Sequence, residues 1–198
     1  IEISVEDKKP ESYKSFSSSE LNAADREAVM KNILDACIFP LIRQRPFNKV
    51  ANPNDVPRDI FVSAYNTAPL SVNVSKVIQN NKDQFQAGLT ALSKLTDGSV
   101  YLTSQKPMEF DNVTNVTIEG PHPAGNVGIQ IHHIKPINPG EVIWTVNAQH
   151  VITIGKLFQN GQYDPGCIVS IGGSGSSNPQ TVRALTGSSI GSLLKDQL

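Results

Sequence analysis

Two cysteines in 198 residues exclude a disulfide-stapled scaffold, and because Cys37 and Cys167 lie far apart with no CxxC they form neither a redox nor a zinc motif. They are expected to be reduced, buried thiols. Charge excess is also missing: the formal net charge is −1 and the pI about 6.5, so no global field recruits nucleic acid or an anionic membrane. No apolar run approaches the roughly 18 residues of a membrane helix, and no stretch resembles a signal peptide. Hydrolytic machinery is absent from the pattern as well. There is no nucleophile elbow, no Cys/His pair at telling spacing and no paired-carboxylate motif. Sequons at Asn73, Asn112 and Asn115 would matter only in a secreted protein and are taken as chance matches. The first residue is Ile1 rather than Met, which suggests a piece of a longer protein, one complete domain with parts of its neighbours.

Strands and helices alternate along the chain. Ile1 to Val5 alternates like a strand, and the polar, serine-rich run Lys8 to Ser19 follows as a connector. Asn22 is a plausible N-cap for a helix carrying Val29, Ile33, Ala36 and Cys37, stopped by Pro40. Ile60 to Tyr65 predicts a short apolar strand. Phe85, Leu89, Leu92 and Leu95 predict one face of a helix ending at Gly98. Ser99 to Thr103, Val113 to Ile118 and Val142 to Val146 predict further strands. From the N-cap Asn147, a helix bearing Val151, Ile154, Leu157 and Phe158 should close at Gly161, followed by a strand over Cys167 to Ile171. The glycine-serine run Gly172 to Pro179 marks a linker or a turn into a new unit. This βαβ alternation predicts an α/β layer fold with a mostly parallel sheet, whose ligand crevice lies beyond the C-terminal strand ends.

Three constellations stand out. Glu119-Gly-Pro-His-Pro-Ala-Gly-Asn-Val-Gly128 is stiffened by two prolines and then freed by glycines, a shaped loop over something or a bare turn. His122, His132 and His133 invite a metal, but no carboxylate or cysteine sits at ligand spacing, and adjacent histidines on an extended segment would face opposite ways. Leu41-Ile-Arg-Gln-Arg-Pro-Phe-Asn-Lys49 gathers three cations with no acid between Asp35 and Asp55. Arginine forks and an aromatic suit a carboxylate, a phosphate or a polar ring carbonyl. Cations following a helix also complement its dipole or simply face solvent.

Read in order, Leu41 to Val50, Ile60-Phe-Val-Ser-Ala-Tyr-Asn-Thr-Ala-Pro-Leu70, Ala87 to Gly98, Glu119 to Gly125, Trp144-Thr-Val-Asn147 and Ile154-Gly-Lys-Leu-Phe158 closely resemble the A-subunit family of sodium-translocating NADH:quinone reductases. The resemblance implies a peripheral subunit on the cytoplasmic side of a bacterial inner-membrane complex that oxidises NADH, reduces quinone and exports sodium. It implies a Rossmann-like domain over residues 21–172, preceded at 1–20 by the end of a barrel-sandwich domain and followed at 173–198 by the start of a β-grasp unit. The fold is similar to that of the flavin-bearing subunit of complex I and of the Rnf C subunit. Those relatives carry glycines where this chain has Arg43-Gln-Arg-Pro-Phe-Asn48, and acids after the equivalent of Gly125 where Asn126 to Gln130 has none. The resemblance therefore implies a scaffold that has lost its flavin and NADH site. No cofactor is expected on this chain and no metal; NADH, flavins and an iron-sulfur centre belong to other subunits.

Quinone is then the expected ligand, in the old nucleotide crevice. Arg43, Arg45, Phe47 and Lys49 are expected opposite His122 and Gly125, with arginines or His122 hydrogen-bonding ring carbonyls and Phe47 flanking the ring. The rival expectation is a structural adaptor in which the same loops grip neighbouring subunits. A flavin-dependent dehydrogenase in its own right is a third.

Overall fold

Six strands form one sheet in the order β2-β1-β6-β3-β4-β5 in the computed structural model, which describes residues 11–195. They are β1 (Ile42–Arg45), β2 (Lys49–Val50), β3 (Ile60–Ser63), β4 (Val100–Ser104), β5 (Thr114–Thr117) and β6 (Ile143–Asn147). β6, β3, β4 and β5 run parallel, while β1 pairs antiparallel with both β6 and β2. The chain is an α/β protein with a mostly parallel sheet, as its alternation predicts. The expectation for Ile1 to Val5 falls outside the described residues.

Helices cover both faces, which explains the apolar character of the central strands. α4 (Lys82–Ser93) and α6 (Ala148–Asn160) pack on one face over Ile60, Val62, Trp144 and Val146. On the other face α5 (Val127–Ile134) sets Ile131 against Phe61 and Ile143. α4 and α6 approach closely because each carries a glycine at the crossing: a Cβ on Gly88 would lie 2.1 Å from the Val151 carbonyl oxygen, and one on Gly155 only 1.7 Å from that of Gln84. α6 begins and ends as its sequence predicts. The Asn147 side chain accepts from the Gln149 amide, and Gly161 closes the helix in the left-handed region at φ 65°.

Several expectations are corrected. The segment read as one helix from Asn22 is two: α1 (Ser18–Ala23), opened by a Ser17/Glu20 capping box, and α2 (Arg26–Asp35), capped by Asp25. Asn22 is spent inside α1, where its side chain donates to the Ser18 carbonyl. Cys37 follows the end of α2 at φ 54° and is exposed, and Cys167 is half-buried; both are free. A thiol placed just past a helix end turns outward with the chain. α4 stops at Ser93, so Gly98 caps nothing and instead lets the chain pass close to the Arg58 carbonyl, whose oxygen would lie 1.9 Å from a Cβ built there. His132 and His133 lie on α5, not on an extended segment.

β7 (Gly166–Ile171) does not join the main sheet. It pairs antiparallel with β8 (Gln180–Leu185), and the Gly172 to Pro179 run is the connection between them. The remaining α-helices among the described residues are α3 (Val74–Gln79), ahead of α4, and the short α7 (Ile190–Leu193) after the hairpin.

Candidate functional site: a crevice at the strand-order reversal

From β3 the sheet steps outward to β4 and β5, then the chain returns through α5 to place β6 on the other side of β3. Later strands therefore lie on both sides of β3, and such a reversal leaves a crevice beyond the paired carboxyl ends of β3 and β6. A cavity of about 590 Å³ occupies that place. Its walls are Ser63, Tyr65 and Asn66 from the end of β3, Thr145 to Asn147 and His150 from β6 and α6, Gly125 to Ile129 from the start of α5, and Leu41, Arg43, Arg45 and Asn48 from the β1 edge.

Strand period puts the arginines there. Arg43 pairs with Thr145 and Arg45 with Ile143, so both side chains share the sheet face that carries α5, while Ile42 and Gln44 point to the other face. Arg43 donates through Nη2 to the Asn48 carbonyl, closing the β1–β2 turn. Burial, and next the charge of Arg43, depress the basicity of Arg45, which stays protonated. Burial likewise pushes the His150 imidazole below its ordinary value, against a smaller opposing effect of its bond to the Leu41 carbonyl, so it is largely uncharged at neutral pH. No Asp or Glu is among the described residues that line the cavity.

The Glu119 to Gly128 loop is tied to the end of β3. The Gly125 amide donates to Thr67 Oγ1 at 2.9 Å, His122 Nδ1 lies 3.1 Å from the same oxygen, and the Tyr65 hydroxyl donates to the Gly120 carbonyl at 3.2 Å. Gly125 is obligatory for this contact, because a Cβ there would sit 2.4 Å from the Thr67 amide nitrogen. Buried Gln130 holds the loop from beneath. It donates to the Ala124 carbonyl at 3.1 Å and accepts from the Thr103 hydroxyl at 2.7 Å.

Three of the six residues expected to wall a common pocket therefore do so: Arg43, Arg45 and Gly125. Phe47 is 83% exposed at the β1–β2 turn and, with Lys49, borders a separate shallow groove against the 137–142 loop. His122 is exposed and spent on Thr67 rather than on the cavity. Sequence reasoning missed Tyr65, Thr145, Asn147 and His150 as cavity walls; Tyr65 just beyond β3 and Asn147 at the end of β6 stand beside the reversal, a place only the topology reveals. Among the described residues no group of three or more His, Cys, Asp or Glu could hold a metal ion.

Residues 24–163 match the family model described as the NqrA second alpha/beta domain. This chain belongs to that family. It is 35% identical to the A subunit of the Na(+)-translocating NADH-quinone reductase of Alcanivorax borkumensis over 100% of this chain and 46% of the relative. The corresponding Marinomonas sp. protein is 36% identical over 99% of this chain and 45% of its own length. That of Pasteurella multocida is 32% identical, covering 100% and 46% respectively. The chain thus spans slightly less than half the length of the relatives it matches. The matched α/β domain contains the whole main sheet and every wall of the crevice.

Proposed function

We propose that this chain is the α/β portion of a peripheral, cytoplasmic-side subunit of a sodium-translocating NADH:quinone oxidoreductase, and that its crevice receives the quinone ring. The subunit couples to NADH oxidation and sodium export through its partner subunits, which carry the flavins and the iron-sulfur centre; it holds no flavin itself. The observation that carries the reading is the crevice at the β3/β6 reversal, where Arg43 and Arg45 offer donors beside the apolar Leu41, Val74 and Ile129. Such a mixture suits a ring with two carbonyl acceptors. Among the described residues no helix is long and apolar enough to cross a membrane.

Two measurements test this. The intact subunit, purified without its partners, is expected to show no flavin absorbance; stoichiometric flavin would overturn the cofactor assignment. In a quinone-analogue titration of the intact subunit, Arg45→Ala is expected to weaken binding by about one to two orders of magnitude, the usual worth of a charged hydrogen bond. Phe47→Ala and Lys82→Ala, both outside the crevice, should leave affinity unchanged. Equal affinity for Arg45→Ala and Lys82→Ala would reject the crevice.

A docking role in the same complex is the second reading. It is favoured by the β1–β2 turn, where Phe47 at 83% and Val50 at 43% exposure project from the edge of the sheet. Phe47→Ala would then lower recovery of the assembled complex while leaving the fold of the isolated protein intact.

A further inference from the structure

Arg45 is the one arginine among the described residues without a partner. Arg26 donates to the Pro53 and Asp55 carbonyls, Arg43 to the Asn48 carbonyl, Arg58 to Asp59 and Glu141, and Arg183 to Asp164. Arg45 makes no hydrogen bond and no ion pair, and its Nε is shut off from solvent without an acceptor. Its nearest charged neighbour in the cavity is of the same sign, Arg43, two residues along the same strand face. A half-buried guanidinium beside another, with no carboxylate on any described wall, leaves positive charge uncompensated unless something else supplies the oxygens.

Free backbone donors stand on the α5 wall as well. α5 opens there at Asn126, whose side chain makes no capping bond, so the first-turn amides of Val127 and Gly128 have no intrahelical partner. Gly128 leaves that approach open: a Cβ built on it would meet only Arg45 Nη1, at 4.0 Å. The Arg45 fork, the part of the Arg43 fork not spent on the Asn48 carbonyl, and a pair of amides call for three or more acceptor oxygens on one negatively charged centre. A ring carbonyl brings no charge, and a planar carboxylate fills a single fork.

We propose that the crevice carries an oxyanion subsite, formed by Arg43, Arg45 and the start of α5, for a phosphate group of a small molecule. The assignment stands independently of the quinone reading. It adds that a phosphate and a quinone analogue would compete for the same two arginines.

Inorganic phosphate and diphosphate are the probes, titrated calorimetrically into the intact subunit at constant ionic strength, with acetate and chloride as controls. Saturable phosphate binding is expected, weakened at least about tenfold in Arg45→Ala and in Arg43→Ala and unchanged in Lys82→Ala. Gly128→Asp supplies a carboxylate beside Arg45 from within the chain. It should abolish phosphate binding and raise the unfolding midpoint in phosphate-free buffer, a gain that a misfolded variant could not show. No saturable phosphate heat, acetate binding equal to phosphate, undiminished binding in Arg45→Ala, or a lowered midpoint in Gly128→Asp would each overturn the subsite. The quinone-analogue titration is read separately, so either assignment can fail while the other stands.

Discussion

Gly155→Ala is expected to lower the unfolding midpoint by roughly 6–12 °C, at about 2–4 °C per kcal/mol in a chain of this size and a loss of about 3 kcal/mol. In an exposed helix the same change would stabilise by about 1 kcal/mol, because alanine is the better helix former. The sign reverses here because the helix pair leaves no room. The added methyl would sit 1.7 Å from the Gln84 carbonyl oxygen and 2.9 Å from the Gly88 amide nitrogen, both backbone atoms that cannot rotate aside. α4 and α6 must then separate, and their contact is the roof of the main core: Phe85, Leu89, Leu92, Val151, Ile154, Leu157 and Phe158 are all fully buried around it. Gly175→Ala is the control, since nothing lies within 4 Å of a Cβ there. Thermal unfolding monitored by circular dichroism checks the pair. A midpoint for Gly155→Ala equal to or above that of the unchanged protein would show that the helices do not cross as closely as described.

These glycines illustrate which parts of the structure were legible in the sequence. The apolar faces of α4 and α6 and the strands β3 to β6 follow from hydrophobic period alone, and the caps Asn147 and Gly161 follow from local chemistry. The close crossing does not, because Gly88 and Gly155 are brought together only by tertiary packing. α5 shows a different failure. Val127-Gly-Ile-Gln-Ile-His-His-Ile134 alternates like a strand, yet Val127, Ile131 and Ile134 also recur at helical spacing, and burial against Phe61 and Ile143 settles the choice. In the crevice, the strand period of β1 makes Arg43 and Arg45 neighbours on one face, whereas Phe47 beyond Pro46 belongs to the turn and is carried out into solvent. Sequence proximity grouped these residues; the pleat and the hairpin divided them.

Asp59→Asn is expected to cost about 2–4 kcal/mol at neutral pH, the range for removing one partner from a sheltered charge cluster. The Asp59 side chain is 1% exposed just before β3, at the end of that strand opposite the crevice. Its carboxylate accepts from Arg58 Nε at 2.7 Å, from Lys135 Nζ at 2.7 Å and from the Ser99 amide at 3.1 Å. Arg58 reaches on to Glu141 and to the Lys135 and Pro136 carbonyls, so one carboxylate ties together β3, the approach to β4 and the segment linking α5 to β6. Asparagine fills the same space but turns a donor toward Lys135 and Arg58, leaving Lys135 uncompensated and Arg58 with Glu141 as its one carboxylate partner. The pH dependence identifies the cause. Burial pushes the Asp59 carboxyl up, but Lys135, the Ser99 amide and Arg58 together outweigh it and hold the carboxyl below its ordinary value. A group depressed on folding stabilises fully above its unfolded pKa of about 3.9, and that stability is lost as pH falls through the lower folded value. Glu20 and Asp164 are depressed too, but none of their partners belongs to this cluster, so they cancel from the difference; Glu141 shares Arg58 and is part of the same response. The stability gap between the unchanged protein and Asp59→Asn, measured by urea unfolding, should therefore be constant from neutral pH down to about pH 5 and shrink steadily below it. A gap that stays constant to pH 3 would show that Asp59 holds this end of the sheet by shape rather than charge.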